Sequence, residues 1–242
     1  VQAANQLGYA PDNRTMSAFV CEYAVDVPTK PTDLTAKVVG EKQIKLEWVA
    51  PTDTGVGDSS RPLVKFVLQA STSSSFDNPQ ESELGPLLTT HTVTVPDSGP
   101  EPYYFRIAAF NEVGQSQFST SANEQGITVP STPTNLVATI PEERQITINW
   151  AGPSDTGIGS AGRALLQYRV EYFEAGGNAT TQYFNITTTT SVYMNLDYTK
   201  TYTFRVYVQN DAGWSAYAEV TERPIVLPTV PINFAASVHE PL

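Results

Sequence analysis

The sequence predicts an all-β chain made of antiparallel β-sandwiches in tandem. Three observations carry that reading: an internal repeat of roughly a hundred residues, period-two alternation of apolar residues within each repeat, and proline-bounded junctions between repeats. The repeat shows in Val1-Gln-Ala-Ala-Asn5-Gln-Leu-Gly8, which matches Ile107-Ala-Ala-Phe-Asn111-Glu-Val-Gly114 and Val206-Tyr-Val-Gln-Asn210-Asp-Ala-Gly213. The junctions are Val27-Pro28-Thr-Lys-Pro31, Val129-Pro130-Ser-Thr-Pro133 and Leu227-Pro228-Thr-Val-Pro231.

Each junction leads into an alternating apolar pair: Leu34 and Ala36, Leu136 and Ala138, Phe234 and Ala236. These are first strands. The second strands follow, with Ile44, Leu46 and Trp48 in one repeat against Ile146, Ile148 and Trp150 in the next. Lys45 and Glu47 fill the intervening positions, as one buried and one wet face require. Later strands are read at Tyr168-Arg-Val170-Glu-Tyr172 and Tyr202-Thr-Phe204-Arg-Val206. No segment holds helical apolar spacing for three turns, and Gly, Pro and Asn punctuate the strands at sandwich spacing.

These residues together resemble the fibronectin type III family, an immunoglobulin-like sandwich. The resemblance rests on the proline-bounded first strand, the Trp ending the second (Trp48, Trp150), and Tyr-x-Phe-Arg-Val/Ile leading to Asn-x-x-Gly-x-Ser. That last motif runs from Tyr103 to Ser116 and from Tyr202 to Ser215. It implies domains at 28–129 and 130–227, with 1–27 as the last strands of a preceding domain and 228–242 as the first strand of a following one. It also implies that Trp48 and Trp150 fill the sandwich centres, and that Tyr103 and Tyr202 form tyrosine corners whose hydroxyls bond backbone upstream. The first repeat departs from the pattern before Tyr103, where Pro100-Glu-Pro102 stands in place of a leucine-bearing turn such as Leu196-Asp-Tyr198.

Composition narrows the function classes. Hydrophobic residues make up 40% of the 242, enough for real cores. A net charge of -11 with scattered Lys and Arg argues against nucleic-acid binding. No apolar run is long enough for a membrane span, and the first residues lack the features of a signal peptide. One cysteine, Cys21, makes no internal disulfide and reads as a buried thiol. His91 and His239 have no metal-ligand spacing.

Several motifs suggest chemistry and are better read as structure. Asp53-Thr-Gly55 and Asp155-Thr-Gly157 are the right number of triplets for an aspartic-protease pair. Each, however, follows Trp-x-x-Pro and opens a Gly- and Ser-rich loop, where Asp and Gly supply turn geometry. Gly157-Ile-Gly159-Ser-Ala-Gly162 satisfies a dinucleotide fingerprint, but a strand follows where a helix is needed. Weak divalent-cation binding through Asp53 and Asp58 lacks a dense oxygen cluster. The P-x-x-P steps could serve as ligands for SH3-type modules, but protecting edges and stiffening the steps is the better reading. Three sequons, at Asn13, Asn178 and Asn185, are glycosylation candidates. Trp214 and Tyr217, beside the Gly213 turn, are expected in a contact surface or packed on a domain junction.

No catalytic residue, metal site or cofactor is expected. The resemblance implies a non-catalytic structural or adhesive spacer array, extracellular or at the cell surface, that meets protein partners or itself. Two alternatives stay open: accessory modules of a larger secreted enzyme or receptor, and a cytoplasmic or ciliary scaffold.

Overall fold

The computed structural model describes residues 4–5, 8–9, 24–58 and 60–229. Strands β1 (Ala4–Asn5) and β2 (Gly8–Tyr9) form an antiparallel pair. The remainder of 1–23, including Asn13 and Cys21, lies outside the described residues, as does 230–242 with Phe234 and Ala236.

Two sandwiches follow. The first comprises β3 (Thr32–Gly40), β4 (Gln43–Val49), β5 (Lys65–Ser71), β6 (Gln80–Leu84), β7 (Thr90–Thr94), β8 (Pro102–Phe110) and β9 (Ala122–Gln125). Its sheets are β3-β4-β7 and β6-β5-β8-β9. The second comprises β10 (Thr134–Thr139), β11 (Ile146–Ala151), β12 (Gln167–Glu174), β13 (Thr180–Asn185), β14 (Thr190–Tyr193), β15 (Tyr202–Asn210), β16 (Gly213–Trp214) and β17 (Ala218–Glu222). Its sheets are β10-β11-β14 and β13-β12-β15, with β16 and β17 both paired to β15. All pairings are antiparallel.

The alternation does what period two requires. Ile44, Leu46 and Trp48 turn inward from β4 and meet Phe66 and Leu68 of β5 and Phe105 and Ile107 of β8. Ile146, Ile148 and Trp150 do the same against Tyr168, Val170, Phe204 and Val206. Each such side chain contributes about 2 kcal/mol by leaving water. Both first strands carry a bulge: the register shifts between Thr32 and Thr35, and between Thr134 and Val137. Asp33 (φ 53°) and Asn135 (φ 52°) take the left-handed conformation there, which short polar side chains tolerate.

Strand β4 separates the poles of its sandwich. The turn at residues 41–42 precedes it and the loop at 50–64 follows it, so the two lie at opposite ends. Strand β11 divides the turn at 143–144 from the loop at 152–166 in the same way.

Candidate functional site: the junction between the sandwiches

The two Asp-Thr-Gly loops are self-wound. Asp155 Oδ1 accepts from the backbone N–H groups of Gly157 (2.8 Å), Ile158 (3.1 Å) and Gly159 (2.9 Å). The Thr156 hydroxyl donates to Ser160 O and accepts from Gly162 N–H and Arg163 N–H. This bracing presents the loop carbonyls to the connecting chain. Thr128 N–H donates to Gly157 O and Ser131 N–H to Asp155 O, both at 2.9 Å. Asn210 completes a clasp. Its Nδ2 donates to Thr128 O (2.8 Å) and Thr156 O (2.9 Å), while its Oδ1 accepts from Ala212 and Gly213 N–H. A Cβ on Gly157 (φ 114°) would stand 2.3 Å from Thr128 O, so only glycine admits the connector this closely.

The first sandwich grips the same connector from the other side. Lys42 N–H, in its β3–β4 turn, donates to Ile127 O at 2.6 Å. The Glu41 carboxylate accepts from Val129 N–H at 3.2 Å. Residues 127 and 129 are thus held by one sandwich, and 128 and 131 by the other. Buried Ile158 packs with Val38 and Ile127 of the first sandwich, with Ala212 beside them. Arg163 bridges the boundary, donating to Glu124 (3.0 Å) and Gln125 (3.1 Å) of β9 and to Asp211 (2.7 Å). Burial disfavours its charge, but the bonds to Asp211 and Glu124 outweigh that and hold the guanidinium above its usual pKa.

The first sandwich holds the chain entering it with the same set of contacts, less one amide on the aspartate. Asp53 Oδ1 accepts from Gly55 and Gly57 N–H, and Asp26 N–H donates to Gly55 O. Asn111 Nδ2 donates to Asp26 O (2.7 Å) and Thr54 O (3.0 Å). At the far pole of the second sandwich Arg144 N–H donates to Ile225 O and Glu143 accepts from Leu227 N–H, matching Lys42 and Glu41.

The other expected sites sit as follows. Trp48 is buried edge-on to Phe66 at 5.7 Å, and Trp150 lies between Tyr168 (5.6 Å) and Phe184 (6.0 Å). Tyr103 Oη accepts from Asp97 N–H at 3.4 Å, and Tyr202 Oη from Asp197 N–H at 3.1 Å. The longer bond belongs to the repeat with the proline departure. Asp53 and Asp155 sit in separate sandwiches, each engaged by its own loop. Asp58 accepts from Ser60 N–H, and its bonds to Ser60 hold the carboxyl below its usual pKa. Among the described residues no group of three or more His, Cys, Asp or Glu could hold a metal. Residues 157–162 form a loop that leads into strand β12. Pro28, Pro31, Pro130 and Pro133 are buried, so these two P-x-x-P steps face inward. Asn178 is exposed beyond β12, and exposed Asn185 accepts from Thr187 Oγ1 at 3.2 Å.

Of the two places expected for Trp214 and Tyr217, a contact surface or a domain junction, the junction is not theirs. They lie on a sheet face of their own sandwich beside two arginines: Trp214 is placed there by β16 pairing with β15, and Tyr217 stands immediately before β17, which pairs with the same strand. Arg169 lies 3.9 Å from the Tyr207 ring and 4.8 Å from Trp214; Arg205 lies 4.9 Å from Phe173 and 4.5 Å from Tyr217. Stacking on the cations stabilises the face. Two junction residues escape a motif reading altogether, Arg163 and Ile158. A signal for them exists: both loops read Asp-Thr-Gly-Val/Ile-Gly-x-x-x-Arg, ending at Arg61 and Arg163.

The sequence profile described as fibronectin type III domain matches residues 131–223. That segment is a fibronectin type III domain. The β3–β9 sandwich repeats its core strand order, so the chain carries fibronectin type III sandwiches in tandem. Protein sidekick-1 of Mus musculus is 31% identical over 170 residues, 66% of this chain and 7% of that protein. The Tyrosine-protein phosphatase Lar-like of Caenorhabditis elegans is 30% identical over 152 residues, 61% of this chain and 6% of that one. The chain therefore spans less than a tenth of either relative. The FN1–FN3 domains of chicken CNTN1 share the fold, with a TM-score of 0.54 at 15% identity, over 85% of this chain and 67% of that one. No helix among the described residues is long and apolar enough to cross a membrane.

Proposed function

We propose that this chain is a stiff, non-catalytic spacer within an extracellular or cell-surface array of fibronectin type III domains, with domains at 28–129 and 130–227. Its work is to hold successive domains at fixed spacing for contacts with protein partners or with further copies of itself. One observation carries the reading: the connector from 127 to 131 is hydrogen-bonded alternately to both sandwiches, so no free hinge remains between them. It enters one pole of a sandwich and leaves by the other, which adds about 25–30 Å per domain at ordinary strand rise. Sidekick-1 supports a module reading, because a stretch like this one forms a small part of a long protein there.

Small-angle X-ray scattering on the 242-residue chain tests stiffness. A pair-distance distribution with two resolved maxima is expected; the smeared profile of a freely jointed pair would sink the proposal. Compartment is tested separately by glycopeptide mass spectrometry on natural material. Glycans on exposed Asn178 or Asn185 are expected, and bare asparagines at full coverage, Asn13 included, would favour a cytoplasmic or ciliary scaffold. A second reading, an accessory segment of a larger enzyme or receptor, draws on the Lar-like relative, which is named as a tyrosine phosphatase.

A further inference from the structure

The far pole of the second sandwich carries an open cleft of about 470 Å³ lined by Ile140, Pro141, Glu142, Glu143, Ile225 and Leu227. Its counterpart in the first sandwich is filled. Val38 and Ile127 are 4% and 0% exposed beneath Ile158. Ile225, held by Arg144 N–H as Ile127 is held by Lys42 N–H, is 50% exposed, and Leu227, held by Glu143 as Val129 is held by Glu41, is 66% exposed. Glu222 stands three residues before Ile225, as Glu124 stands before Ile127. At the filled junction Glu124 receives Arg163.

We infer that this cleft is a socket for the Asp-Thr-Gly-Val/Ile-Gly-x-x-x-Arg loop of a further fibronectin type III sandwich, which seats its aliphatic residue on Ile140 and Ile225 and its arginine on Glu222. The occupant follows from continuity with the junction already formed: the same backbone grips hold the connector, and the same loop occurs in both sandwiches of this chain. A cleft with aliphatic walls, beside a strand that carries Glu222 where the filled junction carries Glu124, matches a loop that offers one aliphatic side chain and one guanidinium. An aliphatic ligand lacking the arginine would bring no cation to Glu222, whose carboxylate accepts from Arg223 N–H, and any loop lacking the glycine after Thr would collide with the connector, as a Cβ on Gly55 or Gly157 would. The junction is thus a repeating coupling, with Asp-Thr-Gly loop and arginine as plug and the opposite pole as socket.

The inference rests on the spacer reading, and the test separates the two. A copy of residues 130–227 is appended directly after Leu227 of the chain, and ¹⁵N relaxation gives a rotational correlation time for each sandwich. One shared correlation time for all three is expected. Ile225→Asp, at a half-exposed position whose grip is made by its backbone carbonyl, is expected to release only the third sandwich into faster tumbling. The same substitution in the unextended chain should leave its melting temperature unchanged. A third sandwich that tumbles alone in the unsubstituted protein overturns the socket, as does one that stays coupled after Ile225→Asp. Independent tumbling of the first two sandwiches would instead overturn the spacer reading.

Discussion

Asn210 is buried and satisfies all four of its amide hydrogen-bonding positions: two carbonyls take its donors and two backbone N–H groups take its oxygen. Asn210→Ala removes the donor from Thr156 O and Thr128 O and the acceptor from Ala212 and Gly213 N–H. A loss of about 3 kcal/mol from the second sandwich is expected, read as a lower urea midpoint with an unchanged slope. Tyr193 shows a different residue-scale effect. Burial pushes its hydroxyl up to about 12, and that hydroxyl makes no hydrogen bond of good geometry. A pKa raised in the folded state means stability is complete below the unfolded value near 10 and is lost as pH climbs toward 12. Up to about 3 kcal/mol should disappear over that window, and Tyr193→Phe should flatten the alkaline limb while costing little at pH 7. An unaltered limb in that variant would place the titration elsewhere.

At the scale of elements, the connector behaves as a short strand shared by two sandwiches. Its amides at Thr128 and Ser131 bond to the loop that Asp155 winds, and the loop is pressed home by Ile158 and Arg163. Ile158→Asp puts a charge among Val38 and Ile127, and Arg163→Ala leaves Glu124 and Asp211 facing one another uncompensated. Each substitution should raise amide exchange at Thr128 and Ser131 by tenfold or more while core amides of β4 and β11 exchange as before, which separates loosening of the junction from loss of the fold. Exchange unchanged in both variants would mean that Asn210 and the glycine contact hold the connector without help.

The whole molecule carries 25 acidic and 14 basic residues. Copies should therefore repel at long range, with a screening length of about 30 Å at 10 mM salt and about 8 Å at 150 mM. Low-angle scattering at 10 mM salt is expected to fall with concentration, and the suppression should vanish at 150 mM. Upward curvature at low salt would instead reveal self-association strong enough to overcome the charge.

The all-β class, the repeat, the two core tryptophans and the turn character of the Asp-Thr-Gly loops are legible along the chain. All are local properties: an inward face declares itself by period two at Ile44, Leu46 and Trp48, and a winding loop by Asp and Gly side by side. What Asn111, Asn210, Arg163 and Ile158 touch emerges only on folding, because their partners lie on other strands or in another sandwich, where no spacing rule reaches. Folding also decides the place of the two exposed-face aromatics. Trp214 is placed by β16 pairing with β15 and Tyr217 by its position just before β17, which pairs with the same strand; together they lie against Arg169 and Arg205 and leave the junction to Ile158.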